Sequence, residues 1–141
     1  MNRRLQTGVT LIELITVVGV VAILSTVAVT SYRAYAQRAG RAEAKAEILQ
    51  QQNNLERCFT RFSAYNDAGC VAATALAGGV TSAEGRYTVT GVIGATTYTL
   101  SAAPRAGGGM TDDTKCNTLT LNSANQRGIV GGTSTWQECW R

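Results

Sequence analysis

The residues TGVTLIELITVVGVVAILSTVAVTSYR, Thr7 to Arg33, form an apolar run with one carboxylate inside it. From Val9 to Tyr32 there are 24 residues, and Glu13 is the only ionisable one before Tyr32. As a helix they would reach roughly 36 Å, which is enough to cross a bilayer core of about 30 Å. The run therefore predicts a membrane helix. Glu13 needs an explanation, because a carboxylate in hydrocarbon is costly unless it is neutralised or paired.

Three interpretations of this run are open. A basic leader, MNRRLQTG, followed by an apolar core is typical of a signal peptide, although this core is longer than the usual 7 to about 15 residues. A plain membrane anchor, with Arg3 and Arg4 keeping its start in the cytoplasm, is the second. In the third, the chain is cut between Gly8 and Val9, and the new amine of a neighbouring copy pairs with Glu13. The third interpretation predicts a protein that is cut and then polymerises.

The segment after Tyr32 continues as helix by composition. It has no proline and is rich in alanine, glutamine, glutamate and arginine as far as Phe62. We expect one helix from Val9 to about Arg57, roughly 70 Å long. Its second half carries apolar residues at helical spacing, on one face Ile48, Leu55, Phe59 and Phe62 and on an adjoining face Ala42, Ala46 and Leu49. This half is predicted to be amphipathic and to pack one stripe on another element.

Beyond Phe62 the helical signal ends in residues 63–84, which are rich in glycine and alanine and are interpreted as a loop. The period then changes to two in RYTVTGV (Arg86–Val92), TTYTLSA (Thr96–Ala102) and NTLTLNS (Asn117–Ser123). Such alternation predicts half-buried antiparallel strands, and the short link 93–95 predicts a hairpin. The predicted fold class is α+β, with the far half of a long N-terminal helix packed on a small antiparallel sheet.

Four cysteines and no histidine, behind an export-like segment, indicate an oxidising compartment and disulfide bonds. Zinc is the competing interpretation, but zinc ligands come in close pairs, whereas the gaps here are 12, 46 and 23 residues. We predict the pairs Cys58–Cys70 and Cys116–Cys139, because each closes a short local loop worth roughly 3 kcal/mol in the chain-entropy model. No metal is expected.

The remaining sequence motifs mainly argue against catalytic and ligand-binding sites. Enzyme chemistry and a cofactor are not expected, since the chain has no histidine, no Gly-x-Ser-x-Gly and no close carboxylate pair in apolar surroundings. The run 107–109 lacks the Gly-Lys-Ser/Thr of a phosphate loop and is interpreted as a flexible strand connection. Asp112 and Asp113 are interpreted as an exposed turn rather than a calcium site. Trp136 and Trp140 form either a packed edge or an exposed adhesive patch.

The charge balance is mild. The formal net charge is +4, and residues 33–141 contain 11 basic and 8 acidic residues. This excess is too small to indicate a nucleic-acid partner. The arginines are spread along the chain with no basic run beyond Arg41, which predicts no clustered basic face.

The stretch G-V-T-L-I-E, Gly8 to Glu13, with its basic leader and its apolar continuation to TSYRAYAQRA, resembles the class III signal of type IV pilins and their pseudopilin relatives. Downstream, GRYTVTGVIGATTYTLSAAPRAGG, KCNTLTLNSANQRG and Cys139 resemble the sheet and the disulfide-bounded C-terminal loop of PilE-type pilins, minor pilins included. Two positions depart from the pattern. Val9 stands where phenylalanine is usual, and Thr30 stands where many pilins have proline.

The resemblance implies cleavage after Gly8 by a prepilin peptidase, N-methylation of Val9, and a contact between Glu13 and the methylated terminus of a neighbouring subunit. It divides the chain into a leader (1–8), a transmembrane and assembly helix (9–32) and a periplasmic or extracellular globular domain (33–141). The implied partners are other pilin subunits through their N-terminal helices, the prepilin peptidase and methylase, and the inner-membrane assembly platform. DNA or surfaces are further candidates.

The implied function is that of a structural subunit of a type IV pilus, a PilE-like minor pilin serving assembly, twitching motility, adhesion or DNA uptake. The subunit would first lie in the inner membrane as a single span with its N terminus inside, and then in the pilus on the cell surface. A pseudopilin of a type II secretion system is one alternative, disfavoured by the predicted Cys116–Cys139 link because pseudopilins more often bind calcium. A DNA-receptor pilin is the other, disfavoured by the dispersed arginines.

Overall fold

The computed structural model describes residues 9–141, without the side chain of residue 30, so the expected leader and Gly8 lie outside the described residues. The chain divides into two compact units at residues 36 and 37. The division falls within helix α1 (Leu11–Phe62), which contributes to both units. The helix begins two residues later and ends five residues later than the predicted range.

The first unit consists of the apolar part of α1. An 18-residue window of this helix has a mean hydropathy of 2.4, and none of it is buried. The helix is thus long and apolar enough to cross a membrane. Its backbone is helical through position 30. The hydroxyls of Thr16 and Ser25 donate to the main-chain oxygens of Glu13 and Val21, at 2.8 and 2.7 Å, so these polar groups find partners within the helix itself.

The second unit, residues 37–141, contains the rest of α1 and a five-stranded sheet. Its further elements are α2 (Val71–Gly78), β1 (Val80–Thr81), β2 (Tyr87–Ile93), β3 (Tyr98–Pro104), β4 (Thr118–Asn122), β5 (Arg127–Val130) and α3 (Trp136–Trp140). The strands are ordered β1-β2-β3-β4-β5, and each neighbouring pair is antiparallel. The predicted hairpin is the β2–β3 pair, in which the main-chain N–H of Gly94 donates to the oxygen of Thr97 at 2.8 Å.

The prediction of a three-stranded sheet and of a loop at 63–84 is wrong in two respects. The three predicted strands are present with bounds shifted by a residue or two, but β1 and β5 extend the sheet on both sides. Both are short, and β5 includes Gly128, so neither has the run of alternating residues that identifies a strand. Residues 63–84 contain α2, whose sequence VAATALAG is alanine-rich and follows directly on Cys70.

The core lies between one face of α1 and the inner face of the sheet. Alternate residues of the strands are buried there, namely Tyr87, Val89, Tyr98, Leu100, Ala102, Leu119 and Leu121. From α1 they meet Ala44, Ile48 and Leu55, all fully buried. The adjoining face predicted from Ala42, Ala46 and Leu49 is exposed, because a residue one position after Ile48 points about 100° away from it.

The glycine run at 107–109 lies in the connection between β3 and β4, as predicted, and forms a turn there. Gly107 and Gly109 have φ of 82° and 74°, in the left-handed region that favours glycine. A Cβ on Gly108 would lie 2.7 Å from the Cα of Arg86 and 2.8 Å from its main-chain oxygen. The turn therefore requires glycine because the backbone of the neighbouring segment passes directly over it.

Candidate functional site

The sequence-predicted processing and assembly residues lie in the first unit. Val9 and Glu13 are exposed. The main-chain N–H of Glu13 donates to the hydroxyl of Thr10 at 3.3 Å. Within residues 9–141, the Glu13 carboxylate has neither a hydrogen-bond nor an ion-pair partner in the same chain. Its role as an assembly contact stays a prediction.

The four cysteines form the two sequential disulfides. The Sγ atoms of Cys58 and Cys70 are 2.08 Å apart, and those of Cys116 and Cys139 are 2.06 Å apart. The first bond joins α1 to the residue before α2. The second joins the segment before β4 to α3. Cys70, Cys116 and Cys139 belong to the buried core, and Cys58 packs against it partly buried.

A concave surface of the second unit collects basic side chains, and we call it the basic groove. Its lining comes from α1, from the segment before β4 and from the region of α3, and consists of Arg38, Arg41, Lys115, Ser134, Glu138 and Arg141. Arg38, Arg41 and Lys45 follow one another at spacings of three and four residues, so they share one face of α1. The groove is thus assembled from segments far apart in the sequence.

The groove is anchored by a bidentate ion pair. Arg41 donates from Nε to Oδ2 of Asp113 and from Nη2 to Oδ1, both at 2.7 Å. Burial raises the pKa of the Asp113 carboxyl, but the hydrogen bond and charge of Arg41 outweigh it and hold this pKa below its usual value. The prediction of an exposed turn is correct for Asp112 and wrong for Asp113, whose side chain is fully buried. Asp113 can be buried because its carboxylate is paired with the guanidinium of Arg41.

Further cations border the groove. Lys45 donates from Nζ to the main-chain oxygen of Arg141 at 2.7 Å. Its pKa is lowered, first by burial and then by the positive charges of Arg41 and Arg127. Glu138 offsets some of this charge, and its carboxylate accepts a hydrogen bond from Ser134. Positive charge therefore predominates on this surface, and such a surface attracts anions.

The prediction that no basic face would cluster is wrong. Four basic side chains line the groove, namely Arg38, Arg41, Lys115 and Arg141, and Lys45 borders it through its bond to Arg141; the carboxylates among them are Asp113 and Glu138. Counting basic runs along the chain could not find this surface, because three of its cations come from α1 and two, Lys115 and Arg141, come from segments beyond residue 110. The spacing of Arg38, Arg41 and Lys45 was the available signal.

The two tryptophans divide between packing and exposure. Trp140 is 7% exposed, and its Nε1 donates to the main-chain oxygen of Gly128 at 3.0 Å. Trp136, the first residue of α3, is 45% exposed. Of the two interpretations from the sequence, the packed edge is correct for Trp140, whereas Trp136 is exposed.

These features define a class of protein. A long apolar N-terminal helix, continued by a part that packs on a small antiparallel sheet, with a disulfide-closed segment beyond, is the type IV pilin fold. A family model described as "Type IV minor pilin ComP, DNA uptake sequence receptor" matches residues 30–120. The chain belongs to this family and is a type IV pilus subunit. A comparison with curated proteins gave no match.

The family is one of structural, non-enzymatic subunits, and it agrees with a minor pilin rather than a pseudopilin. The apolar helix and the family together fit anchoring in a membrane followed by a position on the pilus surface.

Proposed function

We propose that this minor pilin binds DNA through the basic groove and acts in DNA uptake by the pilus. The basic groove is the observation that carries the proposal. Extended phosphate backbones are bound chiefly by lysine and arginine side chains, and this contact is independent of sequence. The description of the matched family as a DNA uptake sequence receptor supports the same function.

The cations of the groove differ in pairing and exposure. Arg41 is committed to Asp113 and holds the groove together. Arg38, Lys115 and Arg141 are exposed at its rim, where their charges can meet phosphates. We assign phosphate contacts to these three residues and a positioning role to Arg41.

We also propose the processing and topology that the pilin signal implies. The leader 1–8 is removed between Gly8 and Val9, Val9 is N-methylated, and residues 9–32 span the inner membrane with the N terminus inside. After assembly Glu13 pairs with the amine of a neighbouring subunit, and residues 33–141 are carried on the fibre. Intact-mass and N-terminal peptide spectrometry from the native host tests the cleavage site, and a start near Ala28 or Val29 would indicate an ordinary signal peptide instead.

Affinity for duplex DNA, measured with the full chain in detergent micelles over a series of salt concentrations, tests the binding function. Arg38→Gln and Lys115→Gln should each weaken binding and lower the slope of log K against log salt by about 0.9 for each phosphate that the variant no longer neutralises. The matched control is Arg57→Gln, which removes the same charge from an exposed position roughly 24 Å beyond Arg41 along α1.

Three outcomes would contradict the function. Binding could be absent in the wild type, equal losses could follow from Arg57→Gln and Arg38→Gln, or an acidic polysaccharide could bind as tightly as DNA. The second outcome would mean that only net charge matters, and the third that the groove is a general anion surface.

A further inference from the structure

The outer face of the sheet carries hydroxyl groups at regular positions. Strands β2, β3 and β4 bury one set of alternate residues against α1, and the other set points to the opposite side of the sheet. Six of these outward residues are threonine or serine, and we call them the hydroxyl face: Thr88, Thr90, Thr99, Ser101, Thr118 and Thr120. All six are half-buried or exposed, and none of them lines the basic groove.

Strand register aligns three of the hydroxyls in one row. Thr90 lies opposite Ser101, and Ser101 lies opposite Thr120. Neighbouring strands are about 4.8 Å apart, and the outward residues of one strand repeat about every 6.8 Å. Thr88 and Thr99 stand in the rows on either side of this row. The hydroxyls therefore form a grid rather than a single polar spot.

Most of these hydroxyls have their bonding capacity available. Thr118 donates to Oδ1 of Asn117 at 3.1 Å. The hydroxyls of the other five residues make no hydrogen bond to any group within residues 9–141. Each of them can donate one hydrogen bond and accept two. A ligand on the hydroxyl face thus meets donors and acceptors that the described part of the chain does not use.

The charge of this face narrows the choice of ligand. The outward positions of β2, β3 and β4 hold threonine, serine, valine, alanine and asparagine, and none of these side chains is ionisable. Phosphate and carboxylate groups find no counter-ion there, so nucleic acids and acidic polymers are poor ligands for it. Val92, which is 81% exposed in the row of Thr99, adds an apolar corner. The mixture of hydroxyls and methyl groups suits a neutral ligand that has hydroxyls and C–H groups of its own.

The size of the face is too small for a second copy of the chain or another folded protein. Three strands, each contributing five residues of length, cover roughly 14 by 17 Å, or about 240 Å². A stable protein interface buries about 800 Å² on each partner. A polysaccharide chain is narrow enough for this area, and it repeats hydroxyls and C–H groups along its length.

We propose that the hydroxyl face binds a neutral polysaccharide, which is a second binding activity beside that of the basic groove. The hydroxyls of Thr90, Ser101 and Thr120 bond to sugar hydroxyls, while the threonine methyl groups and Val92 contact the C–H groups of the sugar rings. This inference does not rest on the proposed DNA binding, because the two surfaces share no residue.

Adsorption isotherms of the full chain in detergent micelles on powdered cellulose and on chitin, two neutral polysaccharides, test the proposal. The wild type should adsorb to at least one of them, with an affinity that does not change over a series of salt concentrations. Thr90→Val and Thr120→Val keep the side-chain shape and the strand propensity and remove one hydroxyl each. Each should lower the adsorption constant roughly 2- to 12-fold, the value of one net hydrogen bond.

The matched control is Thr60→Val, which removes a hydroxyl from an exposed position on α1, the helix that packs on the inner face of the sheet. It should adsorb like the wild type. Arg38→Gln should also adsorb like the wild type while its DNA binding is weakened, so the two proposals stand or fall separately. Circular dichroism checks that each variant keeps its fold, and Ser101→Ala reports on the same row of hydroxyls if a valine variant does not.

Several outcomes would overturn the proposal. They are no adsorption of the wild type to either polymer, equal losses from Thr60→Val and Thr90→Val, and adsorption that weakens as salt is added. Binding to sulfated cellulose as tight as binding to cellulose itself would mean that charge attraction is responsible. Tighter adsorption of Thr90→Val than of the wild type would mean that apolar contact alone holds the polymer.

Discussion

Arg41 and Asp113 are 72 residues apart in the sequence and are joined by two hydrogen bonds of 2.7 Å. The pair links α1 to the segment that precedes β4, and Oδ1 of Asp113 also accepts from the main-chain N–H of Cys116 at 3.4 Å. One carboxylate thus fixes the helix that carries Arg38 and Lys45 against the segment that carries Lys115. The shape of the basic groove depends on this buried pair.

Asp113→Asn should lower the free energy of unfolding by about 3–5 kcal/mol, because it leaves the largely buried Arg41 guanidinium without its counter-ion. Urea denaturation of the full chain in micelles measures the change. Asp112→Asn is the matched control, an exposed neighbour whose loss should change stability by less than about 0.5 kcal/mol. Equal effects at the two positions would show that the ion pair does not anchor the fold.

The same pair predicts an acid limit to stability. The pKa of Asp113 is depressed in the folded state, so its contribution is fully present above the unfolded value of 3.8 and is lost as pH falls toward the folded value. The difference in unfolding free energy between wild type and Asp113→Asn should therefore be constant near neutral pH and shrink below about pH 4. Denaturation curves at successive pH values measure it, and a difference that grows in acid would contradict the assignment.

Removal of the Cys116–Cys139 bond by alanine at both positions should cost roughly 3 kcal/mol and loosen α3. The indole of Trp140 would leave its buried site, so the tryptophan emission should shift to the red, and DNA affinity should fall because Arg141 is no longer held beside Lys115. Alanine at Cys58 and Cys70 is the control, since this bond lies outside the basic groove. Equal loss of DNA affinity in the two double variants would argue against a specific role for the second bond.

Two buried tyrosines should respond to loss of their hydroxyls in opposite ways. The hydroxyl of Tyr98 donates to Oε1 of Glu56 at 2.9 Å, whereas the buried hydroxyl of Tyr87 has no hydrogen-bond partner among residues 9–141. Tyr98→Phe should therefore destabilise by about 1 kcal/mol, and Tyr87→Phe should be neutral or stabilising. Urea denaturation at neutral pH measures both. A larger loss for Tyr87→Phe than for Tyr98→Phe would contradict this prediction.

Tyr87 also predicts an alkaline limit. Burial, followed by the charge of Asp113, raises its pKa from 10.0 to about 12. A raised folded pKa means that the contribution is complete below pH 10.0 and is lost as pH rises toward 12. Tyr87→Phe should lose less stability than the wild type between these two values. Identical alkaline curves for the two proteins would exclude this role for Tyr87.

Glu13→Gln should leave export, cleavage and disulfide formation intact and prevent incorporation into fibres. The partner amine would be left unpaired, at a cost of about 2–5 kcal/mol per junction. The ratio of this protein in sheared surface fibres to that in the inner membrane measures incorporation. A plain anchor predicts better retention in the bilayer for the uncharged variant. An unchanged ratio would mean that Glu13 is not an assembly contact.

The sequence by itself determined the local elements. The apolar run and the amphipathic continuation predict α1, and alternation predicts β2, β3 and β4, because helix and strand periods are properties of neighbouring residues. The sequential disulfides could be predicted for a similar reason, since each closes a local loop. The face of α1 that is buried was only partly predictable, as Leu49 shows, because burial depends on where the sheet lies.

Only the tertiary structure decided the position and shape of the basic groove. Arg41 pairs with Asp113, which is 72 residues away in the sequence, and Lys45 bonds to the main chain of Arg141, which is 96 residues away. No local period encodes such pairs. Charges scattered along the chain become a groove only after folding has brought Lys115 and the region of α3 beside α1. Asp113 is buried and Asp112 is exposed to solvent, because only one of two adjacent carboxylates can face the guanidinium of Arg41.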